Sequence, residues 1–320
     1  MVILVTGTAG FIGFHLTKKL LKQGYQVIGV DSINDYYDTN LKQARLNQLQ
    51  KHAKFHFFKY DIADQEAVRS LFKRFSDIEI IIHLAAQAGV RFSLENPYAY
   101  IHVNIDGHLN ILEQARCLSH LKHLIFASSS SVYGLNQTLP FKEEDAVNMP
   151  SSVYAASKRS AELLSFTYSH IYGLRQTGLR LFTVYGPWGR PDMAYFKFAK
   201  AIMSGKPIEI YEGDGLARDF TYIDDVIDAI LCIMKNIPDA GTSQTFNIGN
   251  NRSESVRYLI QLLEEQLGKK AILHFKPRPV TDLEKTWASI DAIHAKTGWT
   301  PKTDLSEGIG AFVEWFKAYI

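Results

Sequence analysis

The stretch VILVTGTAGFIG, residues 2–13, decides the fold, because it joins an apolar strand to a helix through three glycines. Glycines let the backbone turn tightly and approach a pyrophosphate, and the amino end of the helix supplies free N–H groups and a positive dipole. The Gly-x-x-Gly-x-x-Gly spacing therefore predicts a dinucleotide-binding turn; a tight strand-to-helix turn without a ligand is the alternative. The residues predicted to contact the cofactor here are Gly7, Gly10, Phe11, Ile12 and Gly13.

An acidic residue follows the second predicted strand. A carboxylate at Asp31 accepts hydrogen bonds from an adenosine ribose and repels a 2′-phosphate, so the pattern favours NAD over NADP. A turn cap is the alternative, since Ser32 and Asn34 come next. After the third strand, Asp61 and Ile62 are predicted to flank the adenine.

Apolar strand-like runs alternate with helical patterns over the first half of the chain. Residues 80–82 are apolar without alternation, as in a strand covered on both faces. Strands separated by helices imply right-handed crossovers and a parallel sheet. The sequence predicts an α/β fold, a Rossmann-like doubly wound parallel sheet with a smaller, interleaved C-terminal substrate domain. We expect an NAD-binding domain over 1–186, with a strand near 244–248 returning to it, and a mainly substrate-binding domain over 187–320.

Composition narrows the class of protein. The net charge of +2 favours neither a nucleic-acid surface nor a strongly anionic partner, and no apolar run reaches the roughly eighteen residues of a membrane helix. The first strand begins at once, which leaves no room for a signal peptide. Cys117 and Cys232 lie in apolar helical patterns and are predicted to be buried, reduced thiols. We therefore expect a cytoplasmic enzyme or sensor.

A tyrosine and a lysine stand four residues apart in Tyr154-Ala-Ala-Ser-Lys158, which places both side chains on one face of a helix. A free tyrosine has a pKa near ~10 and is a poor base at neutral pH. A lysine cation alongside favours the phenolate. Together with the glycine turn and the polar stretch 128–131, the pair predicts a site that transfers a proton and a hydride. No metal is predicted, because the eleven histidines form no His-Glu-x-x-His motif and no Cys/His cluster.

Motifs spread over essentially the whole chain closely resemble the extended short-chain dehydrogenase/reductase family, whose members mostly act on nucleotide-linked sugars. These motifs, in chain order, are Gly7-x-x-Gly10-x-x-Gly13, Leu84-Ala85-Ala86, Ser129, Tyr154-x-x-x-Lys158 and Arg218-Asp219-Phe220. The resemblance implies that Leu84, Ala85 and Ala86 contact NAD, as do Tyr154 and Lys158. It also implies that Lys158 contacts the nicotinamide ribose and that Ser129 helps polarise the reacting sugar oxygen.

The end of the fifth strand separates branches of this family. Dehydratases resemble Asp-Glu at the positions of Ser130 and Ser131, and decarboxylases acting on UDP-glucuronate typically carry Ser-Glu there. This chain has no carboxyl group at either position. The pattern favours a reaction that needs only the Tyr154 base and a hydride carrier, with Ser129 and Ser130 contacting the substrate.

A loop in the second half narrows the branch further. Thr183 and residues 190–194, Arg-Pro-Asp-Met-Ala, closely resemble the UDP-glucuronate 4-epimerase branch, and many relatives have asparagine at the position of Thr183. The guanidinium of Arg190 is a planar fork matched to a carboxylate, and Thr183 adds a hydroxyl donor. We therefore expect both to bind the substrate, with a loop ion pair as the alternative for Arg190.

Three further arginines are expected to contact the substrate. Arg91 resembles a substrate-loop residue, although fixing that loop is an equal alternative. Arg218 suits a diphosphate, and an ion pair with Asp219 or Asp224 is the alternative. Arg278 is expected to reach the nucleotide, in a segment where relatives usually show Pro-Gly-Asp or Pro-Gly-Glu and this chain has Pro-Val-Thr-Asp.

The resemblance implies NAD-dependent C4 epimerisation of UDP-glucuronate to UDP-galacturonate through a transient 4-keto sugar. The rivals on the same scaffold are a UDP-glucuronate decarboxylase and a UDP-galactose 4-epimerase. A non-catalytic NAD-binding sensor is a further alternative, which the intact Ser129, Tyr154 and Lys158 disfavour. By analogy with the family we expect a homodimer formed through helices over 104–116 and 153–172. The polar stretch 34–50 is interpreted as an insertion rather than a lid.

Overall fold

The structure is a computed structural model, and it describes residues 1–211, 215–277 and 284–320. Within these residues the strands are β1 Val2–Thr6, β2 Gln26–Val30, β3 Phe55–Phe58, β4 Ile80–His83, β5 His123–Ser129, β6 Gln176–Leu181, β7 Thr183–Tyr185, β8 Pro207–Tyr211, β9 Ala217–Arg218, β10 Phe220–Tyr222, β11 Ser243–Ile248, β12 Glu254–Ser255, β13 Ile272–Lys276 and β14 Lys285–Thr286.

Helices alternate with these strands. Within the described residues the α-helices are α1 Phe11–Lys22, α2 Thr39–Leu49, α3 Gln65–Arg74, α4 Phe92–Glu95, α5 Pro97–Ile101, α6 Gly107–Ala115, α7 Val153–Tyr172, α8 Ala194–Ser204, α9 Ile223–Lys235, α10 Val256–Leu267, α11 Asp291–Thr297 and α12 Leu305–Tyr319. A π-helical turn, His102–Asp106, joins α5 to α6, and a 3₁₀ turn, Ser130–Tyr133, follows β5.

Seven strands form the main sheet in the order β11-β6-β5-β4-β1-β2-β3. β1 is parallel to both neighbours, with Ile3 opposite Val27 on one side and Ile80 on the other. The predicted doubly wound parallel sheet is therefore confirmed. The strand order reverses at β1, and in such sheets ligands bind at the carboxyl ends of the strands beside this point.

The chain forms two compact units. The first contains Met1–Asn136, Glu143–Leu181 and Ile227–Phe246, and the second contains Gln137–Lys142, Phe182–Val226 and Asn247–Ile320. β11, at the place where the sequence predicts a strand near 244–248, pairs beside β6. The assignment of the cofactor to one unit and the substrate to the other stays a prediction.

The apolar residues of β4 and α1 form part of the core of the first unit. Ile80, Ile81 and Ile82 of β4 are at most 2% exposed, because this strand lies inside the sheet with helices over it. α1 buries Phe14, Leu20 and other apolar residues along one face, and the chain turns away at Gly24, whose φ is 86°. Glycine adopts that angle without steric cost, so the chain can leave the helix at this point.

The second unit has its own apolar core, in which α8, α10 and α12 contribute aromatic and aliphatic side chains. The rings of Tyr195 and Phe312 meet edge to face with centroids 4.8 Å apart. Short strands complete the unit: β7 pairs with β10, β8 with β13, and β9 with both β12 and β14. These pairs position the polar loops discussed below.

Two expectations from composition can be compared with the structure. Both cysteines are free, but Cys117 is exposed and Cys232 is only half-buried, so the prediction that both are buried is wrong. Cys117 lies two residues beyond Ala115, the last residue of α6, where the buried face of that helix has already ended. Among the described residues, no helix combines the length and apolar character needed to cross a membrane.

Candidate active site

The glycine turn after β1 is tight and closely packed. Gly7 has φ 76° and donates its N–H to the carbonyl of Val30 at 2.7 Å, which ties the turn to the end of β2. A Cβ on Gly7 would lie 2.8 Å from the backbone nitrogen of Ala85, and one on Gly13 would lie 2.0 Å from the Gly7 oxygen. Only glycine fits at these positions, so the backbone itself forms the surface of the turn.

The amino end of α1 opens beyond this turn. Its N-cap, Gly10, has no side chain to bond the first-turn N–H groups, and the first turn carries no acidic residue. These N–H groups and the helix dipole make a site for anionic oxygens. The chain at this point therefore fits the pyrophosphate of a dinucleotide.

Asp31 lies directly after β2 and is held by the backbone. Its Oδ2 accepts the N–H of Ala9 at 2.9 Å, and its Oδ1 accepts the N–H of Ile33 at 2.8 Å. Ile33 has φ 50°, an uncommon conformation for a β-branched residue, and the Asp31 hydrogen bond supports it. Asp31 therefore performs the turn-capping role of the alternative interpretation, and a carboxylate oxygen with two lone pairs can also accept a ribose hydroxyl.

Tyr154 and Lys158 lie at the start of α7, as the spacing predicts. Ser152 caps this helix by accepting the N–H of Ala155 at 3.1 Å, so Tyr154 sits in the first turn, where the dipole favours negative charge. The Lys158 ammonium is buried and donates to the carbonyl of Ala127, in β5, at 3.0 Å. Burial lowers the pKa of Lys158 to about 8. At pH 7 most of it is still a cation on the same helix face as the phenol.

Ser129 is the last residue of β5. Its Oγ accepts the N–H of Ser131 at 3.2 Å and caps the 3₁₀ turn that begins at Ser130. Ser129 is 7% exposed. The first unit therefore holds its predicted site residues near the carboxyl ends of β1, β2, β4 and β5, where the fold predicts a ligand.

In the second unit, the loop that leads into α8 contains a paired arginine. Arg190 donates from Nε to Oδ1 of Asp192 at 3.0 Å and from Nη2 to Oδ2 at 2.5 Å. The structure thus shows the alternative interpretation, a loop ion pair, and the binding of a substrate carboxylate by Arg190 stays a prediction. Thr183 begins β7 and donates its backbone N–H to the carbonyl of Asp219 at 3.1 Å.

Arg218 is the last residue of β9 and Asp219 lies between β9 and β10, and the two side chains have different environments. The Nη1 of Arg218 donates to the carbonyls of Ala217 and Glu284 at 2.9 and 3.0 Å. Asp219 is fully buried and accepts the N–H groups of Asn250 at 2.6 Å and Ala288 at 3.1 Å. Burial raises the pKa of Asp219 to about 6.

Residues 3–249 match the sequence model of the NAD dependent epimerase/dehydratase family. The chain belongs to this family. The UDP-glucuronate 4-epimerase 4 of Arabidopsis thaliana is 45% identical over 331 residues, which cover 99% of this chain and 75% of that relative.

Solved structures resemble this epimerase/dehydratase chain over their whole length. The UDP-glucuronic acid 4-epimerase of Bacillus cereus, in complex with UDP-glucuronic acid and NAD, matches with a TM-score of 0.93 at 33% identity, covering all of both chains. The UDP-glucose 4-epimerase of Thermotoga maritima with UDP-glucose matches with a TM-score of 0.89, also at 33% identity, over 100% of this chain and 99% of that one. Because two enzymes with different sugars match almost equally well, the fold alone does not select the substrate.

Two arrangements in this family member support the site but carry no signal in its sequence motifs. Beneath the end of β5, Ser128 donates to Glu162 at 2.6 Å, and Arg180 donates to the same carboxylate oxygen at 2.9 Å. Burial opposes ionisation of Glu162, but the hydrogen bonds and charge of Arg180 lower its pKa below the ordinary value. Glu162 therefore remains a buried anion that fixes the strand end next to Ser129.

The second arrangement secures the loop after β4. Asn104, in the π-helical turn, accepts the N–H of Gln87 at 2.8 Å and donates to the Gln87 carbonyl at 3.0 Å. The same Asn104 amide donates to the hydroxyl of Ser157 on α7 at 2.9 Å. π-helical turns often occur at functional sites, and this one links the loop of Leu84–Ala86 to the helix of Tyr154. No spacing rule identifies Asn104, because the contact joins residues far apart in sequence.

The remaining predicted residues have less defined surroundings. Asp61 is exposed and accepts the N–H of Ala63 at 2.9 Å, whereas Ile62 is buried at 3%. Arg91 is exposed and is the N-cap residue of α4. The roles of these residues stay predictions, and Arg278 lies outside the described residues.

Proposed function

We propose that this chain catalyses the NAD-dependent interconversion of UDP-glucuronate and UDP-galacturonate by inverting C4. The observation that carries the proposal is the 45% identity, over 99% of this chain, with the UDP-glucuronate 4-epimerase 4 of Arabidopsis thaliana. Arg190 is paired with Asp192 in this structure, and we expect its two-point fork to exchange that partner for the substrate carboxylate. Ser130 and Ser131 support the proposal, because neither supplies the carboxyl group of the dehydratase and decarboxylase branches.

The base in this reaction is Tyr154. As a phenolate it takes the proton of the sugar 4-hydroxyl, and both the Lys158 cation and the amino end of α7 favour that charge. Ser129 donates a hydrogen bond to the reacting oxygen. NAD accepts the hydride of C4 and later returns it to the other face of the transient 4-keto sugar. Tyr154 then returns its proton to the new 4-hydroxyl, so no proton or hydride is consumed.

The acid group of the substrate makes the 4-keto sugar a β-keto acid. Such an acid loses carbon dioxide when its carboxylate turns perpendicular to the carbonyl. Arg190 binds the carboxylate in two-point geometry and Thr183 adds a hydroxyl donor, and together they restrict that rotation. The same two residues therefore account for substrate choice and for the absence of decarboxylation.

The test is purified protein incubated with UDP-glucuronate without added cofactor, with the products resolved by NMR. A mixture of UDP-glucuronate and UDP-galacturonate supports the epimerase and implies that NAD co-purifies. UDP-xylose or a 4-keto pentose identifies a decarboxylase. If no product forms even with NAD supplied, the epimerase assignment is wrong. A Tyr154→Phe variant with full activity would overturn the role of the base.

A neutral sugar is the second candidate, because the structure of the Thermotoga maritima UDP-glucose 4-epimerase is nearly as similar as that of the Bacillus cereus enzyme. UDP-galactose in the same assay distinguishes the two. Epimerisation of UDP-galactose, with UDP-glucuronate untouched, selects this candidate. An NAD-binding sensor is the remaining alternative if neither sugar turns over.

We also propose that the enzyme is a cytoplasmic homodimer. Its free cysteines suit a reducing compartment. The exposed apolar side chains lie on α7, as expected, and on α5, which precedes the expected segment 104–116; among them are Tyr98 at 83%, Phe166 at 62% and Leu163 at 52% exposed. Side chains of this kind in such number on neighbouring helices are typical of a protein interface, and a second copy of the chain is the occupant we propose.

A further inference from the structure

The polar stretch 34–50 contains two buried cations. It forms α2, in which the side chain of Arg45 is 0% exposed and Lys42 is 5% exposed. Lysine and arginine are rarely buried to this degree, because removing a charge from water is costly. An insertion without a function would not need to bury two charged side chains. The contacts of Lys42 and Arg45 therefore indicate what this segment does.

Arg45 reaches the glycine turn. Its Nη1 donates to the carbonyl of Ala9 at 2.9 Å and to the hydroxyl of Tyr37 at 2.8 Å. The N–H of the same Ala9 donates to Asp31. Both polar backbone groups of Ala9, between the first two glycines of the turn, are therefore held by charged side chains from different elements.

Lys42 secures the segment between Asp31 and the helix. Its Nζ donates to both the carbonyl and the side-chain oxygen of Asn34 at 2.6 Å, and it lies 4.4 Å from the centroid of the Tyr37 ring. The Arg45 guanidinium lies 5.6 Å from the same ring. One aromatic ring thus packs against both cations and keeps them beside the turn.

We propose that α2 is a clamp for the NAD diphosphate, in which Arg45 is a positioning residue. It holds Ala9 so that the turn presents its N–H groups, and it places a buried positive charge next to the turn. Charges in a buried setting are screened little by salt, so an arriving diphosphate interacts with this cation over several ångströms. The inference concerns the cofactor and is independent of which sugar is the substrate.

The test measures binding without relying on turnover. Stripped protein is titrated by calorimetry with adenosine, AMP, ADP and NAD, and the NAD content of freshly purified protein is counted. Arg45→Met removes both the charge and the donor, whereas Arg45→Gln removes the charge and keeps an N–H donor on a shorter side chain. We expect each variant to lose about tenfold in affinity for ADP and NAD while its affinity for adenosine changes little.

The matched control is Gln43→Met, which changes the exposed face of the same helix and should bind all four ligands as the parent does. An equal loss for adenosine and ADP in both Arg45 variants would mean that Arg45 only maintains the fold, and the clamp would be wrong. Unchanged ADP affinity in Arg45→Gln would also overturn it. If Arg45→Met does not fold, Arg45→Gln alone decides between these results.

Discussion

The burial of the Lys158 ammonium group lowers the stability of the folded protein. That burial lowers the pKa of Lys158 to about 8 from 10.5. A base whose pKa falls on folding destabilises the folded protein while it is charged, so its contribution improves as the pH rises from about 8 to about 10.5. In the proposed reaction this charge favours the phenolate of Tyr154.

Replacing Lys158 by methionine should therefore separate stability from activity. We expect kcat to fall roughly 10²–10⁴-fold, the usual contribution of positioned acid–base groups, while the melting temperature at pH 7 rises. In the parent, kcat should decline as the pH rises through about 8, where Lys158 loses its proton. NMR rates and calorimetry measure these effects. An exposed control, Lys54→Met, should change neither, and an active Lys158→Met would contradict the assignment.

Arg190 allows a second prediction about a single residue. Arg190→Met should raise the KM for UDP-glucuronate about tenfold or more and increase the pentose by-product per turnover, because the carboxylate loses its two-point partner. The matched variant Asp192→Asn removes the carboxylate that now occupies the fork, so we expect tighter UDP-glucuronate binding with little by-product. NMR quantifies both. A by-product fraction equal to that of the parent in Arg190→Met would rule out the proposed restraint.

At the scale of elements, Asp219 joins pieces of the second unit that are distant in sequence. It lies between β9 and β10, and its carboxylate binds the backbone of Asn250 and of Ala288 as well as the hydroxyl of Thr221. Within the Arg218-Asp219-Phe220 motif, Asp219 therefore holds the surrounding backbone in place. Its carboxylate does what a hydrogen-bonded strand would otherwise do for these backbone groups.

We expect Asp219→Ala to lower the free energy of unfolding by ~2–4 kcal/mol, because buried N–H donors lose their acceptor.

The pKa of Asp219 is raised on folding from 3.8 to about 6. The stability that this raised pKa contributes is fully present below pH 3.8 and is lost as the pH rises through about 6. The loss in the variant should hence be larger at pH 5 than at pH 7. Urea denaturation at both values measures it, and an equal loss at both would contradict the linkage.

At the scale of the whole molecule, the exposed apolar residues of α5 and α7 form the surface of the proposed dimer. Phe166→Asp places a charge on this surface and should weaken self-association at least about a hundredfold, since a desolvated unpaired charge is costly. Light scattering after gel filtration should then give a monomer where the parent gives a dimer. Lys73→Asp, on the exposed face of α3, should leave the dimer intact. A parent that is already monomeric would end this proposal.

Several features of the molecule depend only on residues that are close together in the sequence. The glycine turn, the Tyr154–Lys158 pair and the strand–helix alternation are local patterns, because a turn, a helix face and a covered strand each depend on a few neighbouring residues. From these patterns alone the sequence determined the parallel sheet, the cofactor class and the placement of Tyr154 and Lys158 on one face of a helix.

Only the tertiary structure decided how distant charges pair. The Glu162–Arg180 pair under Ser128, the Asn104 link and the contact of Arg45 with Ala9 join residues that no periodicity relates. Asp192 in the fork of Arg190 is near in sequence, yet its role depends on how the loop bends. A buried charge is stable only where the folded chain supplies its partner, and such partners come from any part of the sequence.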